Sequence, residues 1–565
     1  MPQPDAVVAP GGIPSRLRTA LSIGVDRGTR ATLWAAERPV AVLAVLVVVQ
    51  WLALLAFALT VKHNGLVYYQ GGDQIGLTTS AWLLAHGSLP PTVLGFGWPF
   101  LLLPFGWLVP SDYVAFLPFV IGLNALVLAP IALACVYALA ARIGGRVLGL
   151  WAAALWVAAP YLAIPFFRDD YHERYVEQFL PQALGLTALA DYPSMVCLLI
   201  AAYLAVRALD ATDPAHAVLA GLVTGFALAI KPANILFLAG PAMLLLLARR
   251  PRLGIPFTLG ILPSLLLLAL WKQRGLGSIP LFGLDETRTA ASATLGAVDL
   301  DRYLDLDWAT LRRNMANLRE FFWSVRVLQW LPFAGAFAVA RRSVPLSGLL
   351  AAWFAGFLLI KGSSAQASVE SGSFFRLLMP AYPAYFLLAV ALPLLVPGLA
   401  RGVSPRRSPA APHRLSRQTL VAVACILVVL PALAIATPSP LSSENPASIT
   451  IGPIITPVDS SIDVSIVADG AKRTLTWSHR DFGSTKVFYR VFRTAAGGED
   501  YSCLDAGSPD CRLQLLTLAS TRAQTFVDLS PPADALYRIG IATNWQNDAA
   551  GGDVIGLSRP IPASG

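Results

Sequence analysis

Long apolar runs with charges confined to their ends recur through residues 39–437, and after residue 455 they give way to short segments in which apolar and polar side chains alternate. A hydrocarbon core about 30 Å thick takes about 20 helical residues. On that measure eleven spans are predicted, near 39–61, 113–141, 147–166, 192–209, 216–230, 232–248, 254–271, 327–340, 344–361, 375–397 and 418–437. The apolar stretch 216–248 is too long for one span and carries Lys231 and Pro232 in its middle, so it reads as a tight helical hairpin. Beyond the last span the segments SIDVSIVAD, RTLTWSH, KVFYRVFRT, RLQLLTLAS, QTFVDLS and ALYRIGIATNW have the period of strands and are separated by Gly, Pro, Asp and Ser turns. The predicted fold is therefore an α-helical polytopic membrane protein of about 11 transmembrane helices with a C-terminal extracytoplasmic β-sandwich. Its parts are a cytoplasmic segment 1–38, a transmembrane domain 39–437, a linker 438–454 and a sandwich 455–565.

Composition agrees with the pattern: 56% of the residues are hydrophobic and 13% charged, where a soluble domain carries roughly a quarter charged. Short cytoplasmic loops collect Lys and Arg, which gives the orientation. With the N-terminus inside, the inner segments hold Arg16, Arg18, Arg27, Arg30 and Arg38, then Arg142 and Arg146, Arg207, the group Arg249, Arg250 and Arg252, Arg341 and Arg342, and finally Arg401, Arg406, Arg407, Arg414 and Arg417. The net charge of +9 is then a consequence of topology, and no nucleic-acid partner is called for. The polar stretch before the first span is too long for an ordinary signal-peptide n-region and no A-x-A site follows, so no cleavable signal peptide is expected. The expected location is the inner (plasma) membrane of a bacterium, multi-pass, with the C-terminal domain extracytoplasmic. High Ala, Arg and Pro usage fits a high-GC genome.

Cysteine usage gives an independent check on the outer tail. Cys135, Cys197 and Cys425 lie inside apolar runs and read as small core residues. Cys503 and Cys511, with seven residues between them, fall in the polar tail and are expected to form a disulfide, the alternative being two unpaired thiols. The tail also resembles fibronectin type III domains in its Trp477 on the second strand, its Tyr537 near the end and its closing NDAAGGDVIGLSRPI hairpin. Such domains bind or space, which implies no catalytic role for it.

Candidate chemistry gathers in three outer segments. Residues 62–112 hold Asp73, His86 and Asp112, with a stretch IGLTTSAWLLAHG of the kind that lies in a membrane interface. Residues 167–191 hold Arg168, Asp169, Asp170, His172, Glu173, Arg174, Glu177 and Asp191, and residues 272–326 mix charges with Trp308, Phe321, Phe322 and Trp323. The inner loops are short and chemically plain, so the working face is expected outside. An acidic residue fixed at the mouth of an apolar bundle is costly without work or a partner, which makes Asp73 the first candidate.

Four stretches, in order, resemble the GT-C superfamily of integral-membrane glycosyltransferases, and especially its branch of protein mannosyltransferases and lipid A aminoarabinose transferases. They are GGDQIGLTTSAWLLAHG with GFGWPFLLLPFGWLV, then LTALADYPSMVCLLIAAYLAVRAL, then AGLVTGFALAIKPANILFLAGPAMLLLL, and finally SFFRLLMPAYPAYFLLAV. The resemblance covers about 39–397 and implies transfer of a sugar from a polyprenyl-phosphate donor, held partly in membrane lipid, to an extracytoplasmic glycan, lipid or protein acceptor. It implies that Asp73 is a general base or acceptor-positioning group, that Asp191 is the acidic residue opening a later span, and that Lys231 and Arg376, with Arg168 or His172, are the cations facing the donor phosphate. An acceptor hydroxyl needs a carboxylate within hydrogen-bond reach, and a departing phosphate needs cations.

The first-loop motif carries one Asp where several relatives carry an acidic pair, so Asp73 acts alone or with Asp169 or Asp170. No cofactor is certain from the residues; a divalent metal bridging Asp73 and a second-loop carboxylate, Asp169 or Asp170, is an open alternative, with His172 and Glu173 as further ligand candidates, although the spacing of the second-loop residues matches no specific metal site. No Gly-rich phosphate loop appears, which argues against a soluble nucleotide-sugar donor. Plainer readings exist for each residue. Asp73 can be a solvated turn residue after Gly71 and Gly72, Lys231 can snorkel to the interface, Asp191 can cap its helix, and Arg376 can bridge to Glu370. A transporter or flippase of lipid-linked sugars is the rival class, and it predicts internal repeats and charges at mid-membrane depth.

Overall fold

The computed structural model describes residues 34–63, 65, 67–68, 73–90, 92, 94–109, 113–276, 306–322, 325–397, 416–440, 448–451, 454–457, 459, 461–480, 487–494, 515–543 and 553–563. Cys503 and Cys511 lie outside them, as do Asp112 and Trp323.

Within the described residues, seven helices are long and apolar enough to cross a membrane: Pro39–Thr60, Val114–Gly144, Asp191–Ala211, Pro251–Gly275, Val344–Lys361, Ser373–Leu395 and Arg417–Ala436. The other four predicted runs are shorter apolar helices, Arg146–Leu162, Pro214–Ile230, Pro232–Leu247 and Val327–Ala340, so seven of the eleven meet the length of a span. A further short helix, Gly97–Gly106, was not separated out by the sequence pattern. The hairpin at 216–248 has a local cause. Lys231, ahead of Pro232, takes an extended backbone (φ −145°, ψ 107°) that ends one helix, and Pro232 opens the next turn, where its missing N–H costs nothing.

Burial sorts the helices. Pro39–Thr60 buries only Gln50, Leu54 and Phe57 and lies at the periphery, whereas Asp191–Ala211 buries most of its length and lies at the centre. The segment IGLTTSAWLLAHG differs from its sequence reading: it forms the helix Asp73–Ala85, whose residues Gln74 to Ala81, Leu83 and Leu84 are buried. A helix covered around its circumference belongs to the protein interior, with no free face for a membrane surface.

Apart from one short parallel pair, the C-terminal part is built of antiparallel strands. Two short strands, β1 (Ser88–Leu89) and β2 (Ser439–Pro440), pair in parallel and join the segment after the Asp73–Ala85 helix to the chain beyond the Arg417–Ala436 helix. A hairpin of β3 (Ser448–Ile451) and β4 (Ile454–Pro457) follows, straddling the expected boundary between linker and sandwich. Next come β5 (Asp463–Asp469), β6 (Lys472–Ser478), β7 (Val487–Thr494), β8 (Leu515–Thr521), β9 (Thr525–Asp528), β10 (Leu536–Thr543), β11 (Asp553–Leu557) and β12 (Ile561–Pro562). One sheet has the order β5-β6-β9 and the other β11-β10-β7-β8, with β12 on β10. Trp477 of the first sheet meets Tyr489 of the second edge-on, ring centroids 5.4 Å apart, so the sheets face each other across an aromatic core.

Candidate functional site: an ion network at one end of the bundle

Each of four charged side chains enters from the end of a different helix. Asp73 opens Asp73–Ala85, Asp191 opens Asp191–Ala211, Lys231 follows Pro214–Ile230, and Arg376 lies in the first turn of Ser373–Leu378. They form one connected network. The Arg376 guanidinium donates from Nε to Asp191 Oδ2 at 2.9 Å and from Nη2 to Asp73 Oδ2, and Lys231 Nζ donates to the remaining oxygen, Asp191 Oδ1. Two carboxylates and two cations balance to zero charge, which is how ionised groups persist where water is scarce.

The members are not equivalent. The Asp191 side chain is 2% exposed and holds both cations, while the Asp73 side chain is 44% exposed and, among the described residues, is held by Arg376. Asp191 is therefore the anchor of the network and Asp73 its open end. Lys231 and Arg376, at 20% and 31% exposure, lie between.

For Asp191, Arg376 and Lys231 the contacts differ from those of the plainer readings. Asp191 makes no capping bond, because Ala190 occupies the cap position. Arg376 pairs with the two aspartates, and Glu370 instead accepts from Asn317 at 3.3 Å. Lys231 turns onto Asp191.

Several residues that the sequence reading missed hold this arrangement. Gln74 accepts through Oε1 from the Ala188 amide at 2.7 Å, Trp98 donates from Nε1 to the Ala188 carbonyl at 2.9 Å, and Asn124 donates to the Gly185 carbonyl at 2.9 Å. Together they fix the 185–188 segment that leads into Asp191. Asn234 donates to Ser194 Oγ at 2.6 Å and to the Ala227 carbonyl at 2.7 Å, tying the turn after Lys231 to the Asp191 helix. The GFGW run has a steric role: a Cβ at Gly95 would lie 2.1 Å from the Ala229 carbonyl oxygen, so only glycine lets this loop rest on the helix end that precedes Lys231. Gly372, at φ +73°, starts the turn that carries Arg376, and a Cβ there would run into the Phe179 ring.

The remaining predicted residues lie apart from the network. Arg168, Asp169 and Asp170 are exposed at the start of the helix Asp169–Arg174. Arg168 pairs with Asp170 at 3.8 Å and donates to the Glu320 carbonyl at 3.2 Å, and its amide donates to the Phe321 carbonyl at 3.1 Å. The part of His172 in this cluster is a backbone bond, its amide donating to the Arg168 carbonyl at 2.7 Å. These contacts, with the Phe167–Phe322 bridge, join the segment 167–191 to the end of the Trp308–Phe321 helix. Among the described residues no three His, Cys, Asp or Glu side chains converge, and the Asp73 and Asp191 carboxylates already carry their cations.

No protein-family model matches the chain, and no curated protein matches it. Two solved structures are similar at low level. One is the crystal structure of the oligosaccharyltransferase of Archaeoglobus fulgidus in the apo form, with a TM-score of 0.35 and 14% identity over 72% of this chain and 56% of that one. The other is the archaeal oligosaccharyltransferase AglB from Archaeoglobus fulgidus in complex with an inhibitory peptide and a dolichol-phosphate, with a TM-score of 0.34 and 14% identity over 71% of this chain and 56% of that one. The matched region thus spans a little over half of that protein's length. At such a TM-score the likeness carries no weight for activity, which rests on the residues themselves.

Proposed function

We propose that this chain is a multi-pass membrane glycosyltransferase that moves a sugar from a polyprenyl-phosphate donor to a hydroxyl acceptor on the extracytoplasmic side. The observation that carries this reading is the network itself: one half-exposed carboxylate, Asp73, at the open end of a buried frame whose cations are Lys231 and Arg376. The acceptor oxygen attacks the anomeric carbon while Asp73 takes its proton. The bond from that carbon to the phosphate oxygen breaks, and the electron pair leaves with the polyprenyl phosphate. Arg376 and Lys231 stabilise the charge that develops on that phosphate, the kind of arrangement that contributes several kcal/mol, about 3–4 per well-placed donor. Before donor binding Arg376 is shared between Asp73 and Asp191. A phosphate drawing Arg376 toward itself leaves Asp73 free to accept a proton, so donor binding and base activation are coupled.

Asp191 is a positioning residue in this scheme, since it is sealed from water and saturated with donors. The basic inner loops support the outward orientation of the site, and the inner membrane of a bacterium is the compartment proposed. The strand orders β5-β6-β9 and β11-β10-β7-β8 support the fibronectin type III-like reading of the tail. Asp73→Asn, assayed in membranes for sugar transfer from a polyprenyl-phosphate sugar and for movement of that lipid across the bilayer, tests the proposal. Loss of transfer supports it. Unchanged transfer refutes the role of Asp73, and lipid movement without any transfer by the wild-type chain favours a flippase.

A further inference from the structure

The polar contacts at the outer end of the Gly254–Leu276 helix converge on a junction that the reaction scheme does not use. Three near-consecutive side chains there, Trp271, Lys272 and Arg274, all donate to backbone carbonyls of other segments. Trp271 Nε1 donates to Leu94 O at 2.8 Å and Lys272 Nζ to Thr92 O at 2.6 Å, which fastens the loop that follows the Asp73–Ala85 helix. Arg274 donates to Ile435 O and, at 2.6 Å, to Pro438 O, which fastens the chain as it leaves the last membrane helix. Immediately beyond, β2 pairs in parallel with β1, and the Ser439 amide donates to Gly87 O at 3.1 Å.

The same contacts continue into the C-terminal domain. Strand β4 lies alongside the Asp73–Ala85 helix, and β11 lies against β4. The Asp459 amide, two residues past β4, donates to Leu557 O of β11 at 2.8 Å. An unbroken path of backbone pairing and packing therefore runs from the helix that begins at Asp73 to the sheet of the sandwich. The helix has almost no exposed face, and β1, β4, the Gly97–Gly106 helix and the Tyr113–Gly122 helix pack against it. A domain that hung from a linker as a spacer would leave the β4 side of this helix open to water.

We propose that the C-terminal domain is docked as a fixed wall on the Asp73 helix, with Arg274 as the positioning residue that pins the junction. The inference goes beyond the transfer reaction and is tested without it. A protease site is inserted between Pro440 and Ser448 in the full chain, reconstituted in nanodiscs, and cut. The cut domain is expected to stay with the membrane part through size exclusion in moderate salt, and its elution as a separate species overturns the proposal. In the uncut chain, Arg274→Ala is expected to raise hydrogen exchange of amides 75–85 at least tenfold while the Asp191–Ala211 amides keep their protection. Unchanged exchange at 75–85 overturns the assignment to Arg274. Should Arg274→Ala lose protection throughout the bundle, the cut wild-type chain decides alone, since it carries no substitution in the junction.

Discussion

Asp191 and Asp73 share one arginine and differ in their surroundings, so replacing each by Asn should separate stability from chemistry. Asp191→Asn removes the charge that faces both Lys231 and Arg376 from a side chain sealed from water. Breaking a buried pair costs about 3–5 kcal/mol, and because both cations keep some exposure and can turn toward water, the lower end, about 3 kcal/mol, applies. Asp73→Asn removes one contact from a side chain nearly half exposed, which costs about 1 kcal/mol or less. Denaturant unfolding of the purified chain in detergent, alongside a transfer assay below both midpoints, reads the two effects. Asp191→Asn is expected to be the destabilised variant and Asp73→Asn the stable, inactive one. The reverse order of stabilities would refute the assignment of anchor and open end.

Lys231→Met is expected to lower transfer about 10²–10³-fold with the donor at saturation, because it removes one cation from the leaving phosphate; a loss confined to KM would argue against that role. Gly372→Ala places a Cβ at a positive φ against Phe179, so it is expected to lower the unfolding midpoint and transfer together, and an unperturbed variant would contradict the placement of the Arg376 turn. In the sandwich, burial pushes the Asp528 carboxyl up, but the Tyr537 hydroxyl at 2.7 Å and Arg493 at 2.6 Å outweigh it and hold the group below its ordinary value. A lowered folded-state value stabilises above the unfolded carboxylate value of about 3.9 and is lost as pH falls through the folded one. Hydrogen exchange of β7, β9 and β10 should therefore accelerate below about pH 4 in wild type, and Asp528→Asn should flatten that dependence.

How much of this was legible in the sequence depends on the range of the signal. The six alternating segments of the tail each contain a strand, because period-two patterning is local. Asp73, Asp191, Lys231 and Arg376 could be singled out as charges at the ends of apolar runs, and family resemblance gave them order. Their mutual pairing could not, since Arg376 and Asp73 are 303 positions apart and no local spacing encodes such a contact. Gln74, Asn124 and Asn234 escaped notice because a lone amide in an apolar run has no period; it becomes informative only when a carbonyl or amide of another segment is found facing it. The run from Arg168 to His172 stood out for its close sequence alone. In the structure Arg168, Asp169 and Asp170 are exposed at the first turn of their helix, and Arg168 contacts the carbonyls of Glu320 and Phe321. The stretch IGLTTSAWLLAHG, read as interfacial, is largely buried instead, because polar Thr78 and Ser80 satisfy their hydroxyls on the carbonyls of their own helix.

The measurement that bears most directly on the proposed chemistry is the rate of sugar transfer from a polyprenyl-phosphate sugar by Asp73→Asn, compared with wild type at equal amounts of folded protein. The structure-based expectation is a fall of about 10²–10⁴-fold, the usual contribution of a positioned general base. A rate within a few-fold of wild type would contradict it.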